Sequence, residues 1–469
     1  MPPTVPPPTD SVRPSKSASL ERRLGPFDAA AIVVSNVIGG GIFFVPIIVA
    51  QMVPAPAATL WMWLLGGALA FAGAMAYAEL SALRPRAGGE YVYLREAFGP
   101  LAAFLTGWTS FVAGFSGAIA VNSVAVAEYM GRFVPAAANT TPLLSVPIPG
   151  MPLVISPKSA VALATITILS LIHIRGLGPG RIVQNLLAAI KASALVAIIA
   201  LGFALGRGHD AAGPLHVAVA PSGLLLALVP IMFTYSGWNA ATYVAEEVRD
   251  PGRNVPLALG LGTVAVTLIY LGLNALYLHV LPVPELASMS GRLLDVVGER
   301  LFGVSAGNVL AVFTIVSFCA SISAMTLAGP RVYYAMARDG LFLPSAATVH
   351  PRFHTPAVAI VAQALWSAVL VSSASLSQLV SYTGFAVVLF SAVAVAALFV
   401  LRRREPDAPR PFRAWGYPWA PAIFVVASAV MLVNEIIRNG VTGLAGLAII
   451  VAGVPVYFVF ARRRRQNKP

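Results

Sequence analysis

Twelve stretches of this chain are apolar over lengths that match a lipid bilayer, and nothing constrains the fold more. They run near 27–53, 58–83, 98–131, 158–174, 181–206, 222–245, 257–281, 306–329, 356–374, 378–401, 417–437 and 441–461. A spanning helix needs about 20 mostly apolar residues. Strands of a membrane barrel would instead show segments of about ten residues with alternating polarity. Of the 469 residues, 58% are apolar and only 10% charged, too few charges to surround soluble domains with a water-facing surface. The chain reads as an all-α integral membrane protein with twelve transmembrane helices. Its single cysteine, Cys319, excludes an intrachain disulfide.

Residues 1–26 are rich in Pro and Ser and read as a disordered cytoplasmic tail. No signal peptide is expected, since the first apolar run is too long for an h-region. If the N-terminus is placed inside and the spans alternate, 24 of the 31 Lys and Arg fall on the inner side and six on the outer. That bias places both termini in the cytoplasm. The basic tail 462–469, with Arg462 to Arg465, then reads as an anchor facing anionic lipid, not a nucleic-acid patch. The net charge of +13 therefore states orientation and calls for no nucleic-acid partner.

Two spans carry breaks. The first holds Gly39, Gly40 and Gly41 in succession, and the sixth holds Ser236, Gly237, Trp238 and Asn239. Each glycine weakens a helix by about 1 kcal/mol against Ala. The 198-residue offset between Gly39 and Gly237 puts the breaks in spans one and six, as expected of a 5+5 inverted repeat. Its halves would be 27–206 and 222–401, with helices eleven and twelve over 417–461. Paired interrupted helices point to a transporter site. Backbone groups freed there are tolerable only against a cavity or ligand. The half-helix after Gly41 offers N–H donors to a carboxylate, and the one ending near Val37 offers carbonyls to an ammonium. An amino acid carries both groups. Close packing through small residues is the alternative for the glycines alone.

These residues resemble the amino acid–polyamine–organocation (APC) superfamily, and within it the L-type amino acid transporter branch and related bacterial amino acid permeases. Gly39-Gly40-Gly41-Ile42-Phe43 is similar to the family's Gly-Ser-Gly-Ile-Phe. The stretch from Phe233 to Pro256, FTYSGWNAATYVAEEVRDPGRNVP, matches the sixth-helix signature almost continuously. Ala337-Arg338-Asp339-Gly340 with Pro344, and Arg402 to Pro411 followed by Gly416-Tyr417-Pro418, resemble the loops after spans eight and ten. Ala78-Glu79-Leu80 and Gly88-Gly89-Glu90-Tyr91 add to them. The resemblance implies alternating access and substrate binding at Val37, Ile38, Gly39, Gly40 and Gly41, and at Phe233, Ser236, Gly237 and Trp238. Phe233 and Trp238 would serve as gates. Two departures stand out: the family's middle Ser is Gly40, and the Asn often found at Thr242 is missing.

Lys191 lies alone in the fifth span, about ten residues past Arg181 and so near mid-bilayer. A centred charge costs about 2.5–3.5 kcal/mol on insertion scales and is functional by default; snorkelling is the alternative. By the resemblance, Lys191 fills the space that sodium takes in sodium-coupled relatives. It would bond first-helix carbonyls and hydroxyls of span eight, with Ser321 and Ser323 as candidates. Sodium-independent transport follows as the expectation.

Other polar residues read as structural. Glu79 is expected to pair with Arg84, Glu128 to lie at the interface, and Asp28 to suit a helix N-terminus. Glu246 and Glu247, grouped with Arg249, Asp250 and Arg253, read as a latch on the inner face. Asn122 is expected either to line the pocket or, preferred, to bond a neighbouring helix, and Phe385 to wall the side-chain pocket. No carboxylate is expected near the two breaks, which favours neutral amino acids over lysine or polyamines. No outer-loop cysteine exists for a disulfide-linked accessory subunit. No metal spacing, cofactor fingerprint or catalytic constellation is found, so the chain reads as neither an enzyme nor a cofactor protein. Exchange and proton symport compete as the coupling, with exchange slightly preferred, and the oligomeric state stays open.

Overall fold

The computed structural model describes residues 20–147, 153–205, 221–289, 293–303, 305–373, 376–438 and 440–466. Among the described residues the architecture is all-helical apart from one short hairpin. In chain order the helices are α1 Pro26–Val37, α2 Val45–Met52, α3 Pro56–Leu83, α4 Glu90–Phe98, α5 Pro100–Thr109, α6 Phe115–Met130, α7 Pro157–Ile174, α8 Leu177–Leu205 and α9 Pro221–Tyr235. There follow α10 Ala240–Tyr243, α11 Pro251–Val280, α12 Val283–Ser288, α13 Leu293–Phe302, α14 Ala306–Arg338, α15 Ala357–Ser372, α16 Leu376–Arg404, α17 Trp419–Arg438 and α18 Gly440–Gln466.

Among the described residues, nine helices are long and apolar enough to cross a membrane: α3, α5 with α6, α7, α8, α11, α14, α16, α17 and α18. Three apolar helices are shorter: α1, α15 and the Gly223–Tyr235 part of α9. Two of these are the interrupted ones. A helix that stops at a break is short by construction, and its remainder continues as a separate element.

Several expected boundaries shift. The run 306–329 continues as helix to Arg338, and the run 257–281 begins already at Pro251. Pro sits at the first position of α11, where its missing N–H costs nothing. The stretch 84–97 contains the amphipathic α4, and α12 and α13 occupy the connection before α14. A small antiparallel hairpin pairs Leu144–Val146 with Leu153–Ile155. Of the tail expected to be disordered, residues 1–19 lie outside the described residues, but Leu20 is buried. Leu24 is buried, its amide donates to the Glu247 carbonyl at 2.9 Å, and its carbonyl accepts from Arg249 N at 2.9 Å. In the basic tail 462–469, α18 runs on to Gln466 and the last three residues lie outside the described set.

The interior is organised around α1. It packs against α8, α11 and α14, and Ile32, Val33, Ser35 and Val37 on it are buried. One end of the bundle carries the basic loops and is laced by ion pairs. Arg331 binds Glu247 through two contacts, Nε to Oε1 at 2.7 Å and a terminal nitrogen to Oε2 at 3.0 Å, with both side chains buried. Arg338 meets Glu246 at 3.1 Å. The expected latch is therefore closed from α14, not from Arg249 and Arg253. Glu79 pairs with Arg402 at 2.5 Å and Arg410 at 3.1 Å, not with Arg84. Arg84 binds Glu96 and, at 2.6 Å, Glu405. An arginine close in sequence gives way to these partners because helix packing joins side chains 321 and 323 residues apart.

Candidate binding site

Both breaks form where the glycines predict. α1 ends at Val37, a 3-10 turn covers Gly40–Phe43, and α2 resumes at Val45. α9 ends at Tyr235, and four turn residues precede α10 at Ala240. Gly237 has φ +100, a left-handed conformation that costs an L side chain strain. A Cβ there would also stand 3.1 Å from the backbone of Asn36. The two breaks thus touch through a residue that must lack a side chain. A Cβ on Gly41 would similarly come within 3.0 Å of Thr234.

Tyr270 on α11 joins the two breaks from behind. Its hydroxyl oxygen lies 2.9 Å from the Val37 carbonyl and 3.2 Å from the Thr234 carbonyl, so it caps the C-terminal ends of both first halves. Val37 O also accepts the Gly39 amide at 2.8 Å. The Val37 carbonyl expected to meet an ammonium is therefore already engaged in this conformation. The carbonyls of Asn36 and Ser236 receive no donor among the described residues.

A cavity of about 390 Å³ opens against these segments, within the range of small-ligand sites. Val37, Gly39, Gly40, Gly41, Phe233, Ser236 and Gly237 line it. Ile38 does not; its carbonyl turns away to Lys191. Trp238 does not either. Its ring is buried between Tyr77 and Phe424, at centroid distances of 4.8 and 5.7 Å, so it forms no part of the cavity wall in this conformation. Residues adjacent in a turn point in different directions, and here Gly237 faces the cavity while Trp238 faces the α3–α17 contact. Phe385 is also absent from the lining, where Ala386, Val387 and Phe390 represent α16. Asn122 lines the cavity and bonds within its own helix, donating to Ala118 O at 2.7 Å; the expected interhelical bond is not what it makes.

Lys191 is buried on α8. Its terminal nitrogen donates to Ser35 O at 3.2 Å, to Ile38 O, and to Ser321 Oγ at 2.9 Å. Two of these three acceptors are carbonyls at the end of α1. Ser321 Oγ itself lies 3.1 Å from each of those carbonyls. Ser323 is elsewhere: its hydroxyl meets His173 Nε2 at 2.8 Å. Two residues apart on a helix, the serines lie about 200° apart around its axis, so only Ser321 faces α1.

Three parts of the site were not anticipated. The lining includes Tyr129 and Phe318, the latter packed against Gly40 and Phe43 of the first break. Between α5 and α6 the helix widens into a π turn over Ser110–Gly114, and Ser110 and Gly114 line the cavity; such turns recur at functional sites. Glu90 also lines it, which corrects the expectation that no carboxylate lies near the breaks.

A family model described as amino acid permease matches residues 24–460. The chain belongs to that family. Within the APC superfamily it is similar to the large neutral amino acids transporter small subunit 2 of Mus musculus, 29% identical over 452 residues that cover 94% of this chain and 81% of the relative. It is also similar to the Asc-type amino acid transporter 1 of Mus musculus, 29% identical over 455 residues, 95% of this chain and 82% of the relative. The serine/threonine exchanger SteT of Bacillus subtilis is 28% identical over 449 residues, 95% of this chain and 98% of the relative. This permease thus aligns with transporters along nearly its full length, and it is a multi-pass membrane protein.

Proposed function

We propose that this permease is a sodium-independent secondary transporter of neutral amino acids that works by alternating access, with exchange slightly preferred over proton symport. The observation that carries the reading is the Lys191 terminal nitrogen, set on two carbonyls of α1 and on Ser321. A fixed cation at this point leaves no room for a second one, and it ties the first break to α8 and α14. The substrate carboxylate would meet the amides of Gly40 and Gly41, which begin a helix and lack acceptors within it. The ammonium would meet the open carbonyls of Asn36 and Ser236. Phe233 would close over the substrate, and Asn122, Phe318 and Phe390 would meet its side chain.

The same reading takes the core as a 5+5 inverted repeat within twelve spans and sets the basic end in the cytoplasm of a cell membrane. The positive-inside bias supports that orientation. Cys319 is partly buried in α14, so an accessory subunit would have no exposed thiol to bond. The test is uptake of labelled amino acids into proteoliposomes with sodium replaced by choline. Undiminished uptake that unlabelled substrate inside accelerates is expected. Uptake that requires sodium would overturn sodium independence, and uptake driven by a pH gradient alone would favour symport.

A further inference from the structure

Glu90 opens α4, a helix that lies between the membrane-crossing ones, yet its carboxylate is buried. It sits on the cavity wall at the depth of Thr106, Asn239 and Tyr243. Tyr77 donates to Oε1 at 2.8 Å, Asn239 Nδ2 at 2.5 Å and Tyr243 at 3.2 Å. Thr106 lies 3.4 Å from Oε2. Every one of these donors is neutral, and no ion pair involves Glu90 among the described residues.

The charges around it are spent elsewhere. On α4 itself, Arg95 pairs with Asp339 and Glu96 with Arg84. On α14, Arg331 and Arg338 are held by Glu247 and Glu246. On α16, Ser391 reaches Tyr77, while Arg402 is bound to Glu79. The remaining titratable neighbours of Glu90 are phenols: Tyr77 on α3, Tyr93 on α4 and Tyr243 on α10. Burial pushes the Glu90 carboxyl above the usual carboxylate range, against the pull of its four donors. A buried carboxylate without a cation neutralises itself by taking a proton.

The donors come from three separate pieces of the bundle: α3, α5, and the segment after the second break. Asn239 and Tyr243 both belong to that last segment, directly beyond Gly237. The segment cannot swing away from the cavity without leaving Glu90. The Glu247–Arg331 pair then forms a second closure nearer the basic end.

We infer that Glu90 is a proton-binding site of the transport cycle, protonated while the basic end is sealed and ionised when Asn239 and Tyr243 withdraw. This rests on the transport reading. The departing proton passes to water entering from the basic end, and the carboxylate gains the hydration that its neutral donors could not supply. Because the sealed state binds the proton more tightly, raising the pH favours the open state. Exchange limited by that opening therefore speeds up as pH rises.

The experiment measures amino acid exchange in proteoliposomes with equal pH on both sides, stepped from about pH 5 to about pH 8. Wild type is expected to accelerate severalfold over that range. Glu90→Gln, permanently neutral and still able to accept from Tyr77 and Asn239, is expected to turn over at one rate throughout. Tyr243→Phe removes a donor that favours the ionised form, so its rise is expected at higher pH than wild type. A flat wild-type profile, or a Glu90→Gln variant that keeps the wild-type slope, would overturn the inference. If no amino acid exchanges at any pH, the transport reading fails, and thermal unfolding still tests the proton site. The Tm of wild type relative to Glu90→Gln should fall as pH climbs, and parallel curves would refute it.

Discussion

Lys191 and Glu90 are both buried, Lys191 against the first break and Glu90 against the segment after the second, and the protein treats them differently. Lys191 is met by three acceptors, two of them main-chain carbonyls that the end of α1 leaves free. Those carbonyls cannot move without unwinding more helix, so the contact is built into the backbone. Glu90 is met by side-chain hydroxyls and one amide from α3, α5 and the segment after the second break. The comparison teaches that Lys191 is a fixture of the first break, while Glu90, on the proposed cycle, is a contact that the second break makes and loses.

Glu247 calibrates the pair, because it is buried with a full counter-charge. Glu247→Gln strands Arg331, and breaking a buried ion pair from one side costs about 3–5 kcal/mol. The largest loss of Tm in this set is expected there. A variant as stable as wild type would show that the closure at the basic end is not held by this pair.

Lys191→Met comes next. It leaves the Ser35 and Ile38 carbonyls with only the Ser321 hydroxyl, and each unsatisfied buried acceptor costs about 1–3 kcal/mol. Initial uptake is expected to fall by more than tenfold, while the folded protein is still recovered as a single species. Wild-type kinetics would erase the distinction between fixture and contact.

Glu90→Gln should affect stability less than either, and only as a function of pH. Below the range where Glu90 ionises, both proteins carry a neutral group and their Tm values should lie close together. As pH rises, wild type alone loses the stability that its bound proton supplies. The smallest contrast is between two serines. Ser321→Ala should slow uptake modestly by removing one acceptor from Lys191, and Ser323→Ala should leave uptake unchanged, since its partner is His173. Equal effects would mean that α14 is sensed as a whole and not through Ser321.

The sequence revealed what the bilayer dictates. Apolar runs, the glycines of both breaks and a lysine alone among apolar neighbours are legible because hydrocarbon tolerates freed backbone groups and charges only where a cavity or partner meets them. Ser321 and Ser323 are both candidates by the resemblance, and only the structure separates them, with Ser321 on Lys191 and Ser323 on His173. Glu90 could not, because Gly88-Gly89-Glu90-Tyr91 reads as a loop, and only packing draws it under the cavity. Tyr270 was invisible for the same reason: a tyrosine within an apolar helix carries no mark that its hydroxyl will cap two broken ends. The partners of Glu79, Glu246 and Glu247 come from helices distant in sequence, so proximity along the chain suggested the wrong arginines. Trp238 follows the family signature in sequence, yet the turn at Gly237 directs its ring into the bundle.

The central claim is that a fixed ammonium at the first break replaces a transported cation. The most direct measurement is counterflow of labelled neutral amino acids in sodium-free proteoliposomes, comparing wild type with Lys191→Met. The account predicts saturable counterflow in wild type that sodium does not enhance, and its near-complete loss in the variant. Counterflow that appears only when sodium is added, or that survives intact without Lys191, would contradict it.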